Sequence, residues 1–166
     1  LIGTALNTET KKHNLWNNAV MALEANLLNV GITELTKNTV QRIRPYAYNY
    51  QVPLSEKLTL DTKRSFFSGH TSVVATNSFL TAHLVSNYIE IEKKWLIWVP
   101  AALVPAYAGF ERVRAGKHFV SDVVVGYAIG MSCGLVIPQI HKSKENFTLN
   151  ASHYSDTTLI GFSYRF

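Results

Sequence analysis

At 166 residues the chain fits one domain with a real core and leaves little room for two. Hydrophobic residues make up 47% and charged residues 16%, with a mean hydropathy of +0.04, which lies between an ordinary soluble protein and a membrane protein. A net charge of +5 and a pI near 9.4 favour anionic partners such as phosphate esters or lipid headgroups, whereas nucleic acid is disfavoured because Lys and Arg form no run interleaved with aromatics.

The single cysteine, Cys133, excludes an internal disulfide, and its place beside Gly134 in an apolar stretch suits a small buried residue. Zinc-type ligand spacing is absent. The chain opens on Leu1 rather than methionine, which suggests a preceding segment that was removed or not included.

Residues 1–12 are polar and lack apolar periodicity, so they read as a lead-in segment. From His13 to about Ile43, Leu15, Trp16, Ala19, Val20, Leu23, Leu27, Val30, Leu35 and Val40 mostly recur at three and four, predicting a long amphipathic helix that Gly31 could bend. Asn17, Asn18, Glu24, Asn26 and Asn29 would be costly in hydrocarbon, and a water-facing polar stripe is the simpler account. Pro45 should stop the helix. The connection from Tyr46 to Phe67 is longer than most loops of a compact domain, which suits the cover of a site.

Ser68 is placed to cap a second helix running to about Tyr88. A third apolar run, Trp95 to Phe110, carries Pro100 and Pro105 as kinks or a late start, and a fourth runs from His118 to Ile137, ending at Pro138. Gly126, Gly130 and Gly134 share one face of that fourth helix and would let a neighbour approach closely. The division expected is a helical domain over 1–140 and a tail over 141–166. The alternating Ile160, Phe162, Tyr164 and Phe166 open that tail to a small hairpin.

Three clusters carry chemistry. In Lys37-x6-Arg44-Pro45, seven residues of helix would put both cations on one side about 10 Å apart, able to bracket an anion. In Ser68-Gly69-His70-Thr71, a helix start offers free N–H groups, Gly69 admits an oxyanion to the backbone, the Ser68 hydroxyl adds a donor, and His70 could protonate a departing alkoxide. In Arg112-x5-His118-x3-Asp122, a helical His118 would sit one turn from Asp122, whose carboxylate could take the proton of one imidazole nitrogen and leave the other nucleophilic. The planar fork of Arg112 suits an oxyanion with several equivalent oxygens.

These three motifs, in this order and covering about Lys37 to Asp122, resemble the three-part signature of the type 2 phosphatidic acid phosphatase (PAP2) superfamily, which includes bacterial non-specific acid phosphatases and vanadium haloperoxidases. The resemblance implies an all-α bundle of four or five main helices. It also implies a phosphatase acting on phosphate monoesters or lipid phosphates through a phosphohistidine. In that scheme His118 is the nucleophile, Asp122 its orienting partner, and His70 the general acid and later base. Lys37, Arg44 and Arg112, with the Ser68 hydroxyl and the Gly69 N–H, form the cage for the phosphoryl oxygens. Neither a metal nor another cofactor is expected, the three cations neutralising the phosphate, and vanadate is expected to inhibit.

The chain departs from the family pattern in having Phe67 before Ser-Gly-His and Glu111 before Arg112, the latter either weakening anion binding or holding Arg112. The alternatives are a vanadate-dependent haloperoxidase and a non-catalytic anion-binding envelope protein. The expected location is the bacterial cell envelope, as a soluble or peripherally attached periplasmic protein, with an integral membrane protein as the alternative.

Overall fold

A computed structural model describes the backbone of residues 2–88, 92–154 and 157–164, and the side chains of residues 15–87 and 92–142. Helix α1 spans Ile2–Val40, so the polar lead-in joins the helix instead of preceding it. That segment holds no proline and several straight-chain helix formers, and extending an established helix costs little per residue. Gly31 lies within the helix and does not end it. The end comes at Val40, five residues before the proline, because Gln41 takes a left-handed φ of 47° while its N–H still bonds the Lys37 carbonyl at 3.3 Å. Beyond it Arg44 is extended (φ −72°, ψ 150°), as a residue before proline prefers.

The long connection has structure of its own: a 3-10 turn at Pro45–Tyr48, a single helical turn α2 at Leu54–Lys57, and a second 3-10 turn at Leu60–Lys63. It folds back on the extended leg after α1. The Arg44 N–H donates to the Thr62 carbonyl at 2.9 Å and the Ser65 N–H to the Arg42 carbonyl at 3.0 Å.

Helix α3 (Gly69–Tyr88) packs against α1, α4 (Trp95–Arg114) and α5 (Val120–Asn146). Pro100 and Pro105 do not delay α4, which starts at Trp95 with both inside it, and Pro138, expected to end the fourth helix, lies inside α5, which continues to Asn146. Tertiary packing outweighs the roughly 3 kcal/mol that proline costs an isolated helix interior.

The α3–α5 contact is set by the glycine face. A Cβ on Gly126 would lie 2.5 Å from the Ser68 carbonyl oxygen, one on Gly130 2.1 Å from that of Ser72, and one on Gly134 2.5 Å from that of Thr76. Both helices therefore advance four residues per contact with backbone against backbone, the small-residue packing that prevails where lipid removes the hydrophobic drive between helices.

The faces of α1 are the reverse of the expected water-facing stripe. Asn29 is 0% exposed and accepts a hydrogen bond from the Ser72 hydroxyl on α3, and Asn26 pairs with Asn77 on the same helix. The outward positions are Leu15, Trp16, Leu23, Leu27, Leu28, Val30 and Leu35, with Leu27 62% exposed. Helical periodicity identifies two faces but not the medium each one meets. After α5 the tail forms an antiparallel pair, β1 (Phe147–Tyr154) with β2 (Thr157–Tyr164), in register from Phe147 opposite Tyr164 to Tyr154 opposite Thr157.

Candidate active site

The end of α1, the leg after it, the start of α3, the end of α4 and the start of α5 meet at one end of the bundle. The turn that delivers the third motif is a helix stop. Gly116, at φ +65°, sends its N–H to Val113 O at 2.9 Å and Lys117 sends its N–H to Arg112 O at 3.1 Å, the paired closure that ends a helix on a left-handed glycine. Arg112 thus stays in the last turn of α4 while His118 is carried beyond it.

His118 is not helical, since α5 starts at Val120, so the expected pairing of His118 and Asp122 one turn apart on a helix is replaced. The His118 Nδ1–H donates to the Ser65 backbone carbonyl at 2.7 Å, while the nearer Asp122 oxygen stands 3.8 Å away. A carbonyl oxygen only accepts, so Nδ1 carries the proton and Nε2 keeps its lone pair. His118 is 2% exposed, and its pKa is pushed down to about 4 by burial first, then by Arg44, against the raising influence of the Ser65 carbonyl and Asp122.

Asp122 is 0% exposed and works as the N-terminal anchor of α5. Its Oδ2 accepts from the Phe119 N–H at 2.9 Å and the Ser65 hydroxyl at 2.5 Å, and its Oδ1 accepts from Arg42 Nη1 at 2.7 Å. Its backbone carbonyl takes the Ser68 N–H at 2.9 Å, tying the second motif to the third.

Ser68 is fully buried, and its hydroxyl is occupied locally: it is 2.9 Å from the Thr71 hydroxyl and accepts the Thr71 N–H at 3.5 Å, capping α3 as expected. Gly69 keeps space for a cation, because a Cβ there would lie 3.1 Å from Lys37 Nζ. His70, exposed in the first turn of α3, has its pKa lowered by partial burial and then by Arg112, Lys37 and Arg44. Lys37 is lowered by burial, with Arg44 and Arg64 adding to this and Glu34 and Asp61 opposing it.

Arg44 is not on α1, so the two-turn helical spacing to Lys37 does not exist, yet the residue turns inward and is 5% exposed. Its guanidinium donates to the Asp61 carboxylate at 2.7 Å, the Asp61 carbonyl at 2.8 Å and the Lys117 carbonyl at 3.3 Å. Arg112 is half-buried, and its Nε is a buried donor with no partner among the described residues. Glu111 pairs at the surface with Arg114, at 3.1 Å, rather than holding Arg112. Arg44 and Arg112 are charged neighbours of both imidazoles, so the two histidines face one basic region.

Arg42, Ser65 and Asp61 escaped the motif reading. Their partners lie at distant points of the chain, from Arg42 to Asp122 and from Ser65 to His118, and no local pattern announces such pairs.

The PAP2 superfamily profile matches residues 18–145. The lipid A 4'-phosphatase of Porphyromonas gingivalis is 29% identical over 90 residues, covering 54% of this chain and 35% of that protein. Phosphatidylglycerophosphatase B of Bacillus subtilis is 25% identical over 103 residues, 60% of this chain and 46% of that protein. The chain spans between about a third and a half of the length of these relatives. The crystal structure of a transmembrane PAP2-type phosphatidylglycerolphosphate phosphatase from Bacillus subtilis shares the fold, with a TM-score of 0.61 over 74% of this chain and 58% of that one at 22% identity.

Proposed function

Because the chain belongs to the PAP2 superfamily, we propose that it hydrolyses the phosphate monoester of a lipid phosphate through a phosphohistidine on His118. The observation that carries this reading is the His118 hydrogen bond to the Ser65 carbonyl, which leaves Nε2 unprotonated beside Arg44 and Arg112.

Nε2 attacks phosphorus, the bond to the leaving oxygen breaks with its electron pair on that oxygen, and His70 supplies the proton. Water then attacks the phosphohistidine as His70 takes its proton, and the P–N electron pair returns to Nε2. Lys37, Arg44 and Arg112, with the N–H of Gly69, hold the phosphoryl oxygens and spread fixed positive charge around the transition state. The buried Nε of Arg112, without a partner among the described residues, is the donor such an oxygen would satisfy. These cations supply the neutralisation, so no metal enters the scheme, and vanadate competes as a transition-state mimic.

The medium we assign is a bilayer, which reverses the soluble periplasmic expectation. Its support is the apolar exterior of α1, joined by exposed Trp95, Leu96, Val99, Leu103, Val104 and Phe110 on α4. Val120–Lys142 of α5, 23 residues long and containing an 18-residue stretch of mean hydropathy 1.8, is long and apolar enough to cross one. The catalytic groups precede that segment or lie at the ends of other helices. A largely apolar hollow of about 390 Å³ between α1 and α3, lined by Val30, Val73 and Val74 together with Thr33 and Glu34, opens beside Lys37 and His70 and suits the apolar part of such a substrate.

The test is hydrolysis of a detergent-dispersed phosphatidic acid across pH. His118 must be neutral to attack, so activity rises as pH climbs through about 4. His70 must be protonated to donate and its pKa lies below 6.5, so activity falls again before neutrality. A bell in kcat/KM with an acidic optimum is expected; a profile rising to an alkaline plateau would reject His70 as the acid, and the absence of a rise near pH 4 would count against His118 as the nucleophile.

A further inference from the structure

Asp122 is fully buried, and a carboxylate in that position is tolerated only with a charge partner and its remaining lone pairs filled. His118 is not that partner, since its Nδ1 stands 3.8 Å from Asp122 Oδ2 without a hydrogen bond and burial keeps the imidazole neutral. The partner is Arg42. Its Nη1 donates to Asp122 Oδ1 at 2.7 Å and to the Ser121 hydroxyl at 2.8 Å, and its guanidinium carbon lies 4.1 Å from the centre of the Phe119 ring.

The same residue is joined to Ser65 by its backbone. Arg42 O accepts the Ser65 N–H at 3.0 Å, the Ser65 hydroxyl donates to Asp122 at 2.5 Å, and Asp122 accepts the Arg42 guanidinium, so the circuit closes. Ser65 contributes its last polar group, the carbonyl, to His118 Nδ1. Arg42 therefore grips the two segments that decide where the imidazole sits: the carbonyl it bonds and the α5 start on which it is mounted.

We propose that Arg42 is a positioning residue which, acting through Asp122 and Ser65, holds the His118 imidazole in the tautomer with its proton on Nδ1. It touches neither phosphate nor the reacting nitrogen, which separates it from Arg44 and Arg112. The inference rests on the proposed phosphatase for its kinetic consequence but not for its structural one, and the two are separable.

Nitrogen-15 NMR of the histidine-labelled full chain in detergent micelles reads the tautomer directly. His118 should show a protonated Nδ1 and a bare Nε2 in the unmodified chain, a mixture of tautomers in Arg42→Ala, and a return toward the original in Arg42→Lys. With phosphatidic acid, Arg42→Ala should lower kcat about 10- to 100-fold with KM changed by less than about twofold, a loss like that from misplacing a reacting group by an ångström. Should Arg42→Ala fail to fold, Ser65→Ala, which removes only the hydroxyl, gives the same two readouts. An unchanged His118 tautomer in these variants, or a KM that rises in step with the loss of rate, overturns the inference. An unmodified chain with the expected tautomer, shifted by Arg42→Ala, but no turnover of any phosphate would reject the phosphatase reading while upholding the positioning role.

Discussion

Replacing His118 by alanine should reduce turnover of a lipid phosphate by at least about 10⁴-fold, the scale seen when a covalent nucleophile is removed from a preorganised site. The cage and His70 remain in that variant, but water has no nitrogen to relay through and must attack the ester directly. The substitution also leaves the Ser65 carbonyl without its donor, a buried group at 2.7 Å from Nδ1 whose loss of partner costs about 1–3 kcal/mol. Circular dichroism and a melting curve in detergent separate that structural cost from the chemical one. A folded His118→Ala chain retaining a tenth of the activity would remove the nucleophile from the account.

The second large effect concerns the scaffold. Gly130→Ala places a methyl group 2.1 Å from the Ser72 carbonyl oxygen and 2.9 Å from the Ala75 Cβ, so helices α3 and α5 must move apart. Backbone is what the methyl meets, and no rotamer change relieves it; the cost should reach about 3 kcal/mol or more. The same movement strains the Ser68 N–H bond to the Asp122 carbonyl, so activity should fall along with stability. Gly31→Ala supplies the contrast: its Cβ meets nothing within 4 Å, and alanine at a helix interior should raise stability by about 0.5–1 kcal/mol. Equal melting temperatures for the two variants would show that the glycine face does not set the contact.

That glycine face was readable from spacing alone, because residues four apart on a helix share a side whatever surrounds them. So was the capped start of α3 at Ser68, whereas the gathering of three basic residues and two histidines was implied only by the family resemblance of the three motifs, and their local geometry differs from expectation. Lys37 and Arg44 illustrate the difference. A helical count placed them two turns apart on α1, but Gln41 adopts a left-handed backbone and Arg44 reaches inward from an extended leg. Glutamine carries no signal for that conformation, which follows from the loop stitching at Thr62 and Ser65.

His118 and Asp122 fail in a related way. Their spacing of four fits a helix, yet the helix starts between them, so the carboxylate caps α5 and the imidazole turns to a carbonyl from another part of the chain. The orientation of α1 was beyond periodicity altogether. Asparagines on one side and leucines on the other are compatible with a core facing either way, and the contacts of Asn29 with Ser72 and of Asn26 with Asn77 decide that the polar side is the inner one. Pro100, Pro105 and Pro138 were judged by their cost in isolation, whereas their helices are held by neighbours.

The most direct measurement is to quench the full chain with denaturant at alkaline pH while it turns over phosphatidic acid labelled in the phosphate, then locate the label on the protein. The account predicts an alkali-stable, acid-labile phosphoryl group on His118, absent from His118→Ala and formed more slowly in a His70 variant that cannot protonate the leaving oxygen. Label on a serine or another histidine, or turnover with no labelled protein in either chain, would contradict it.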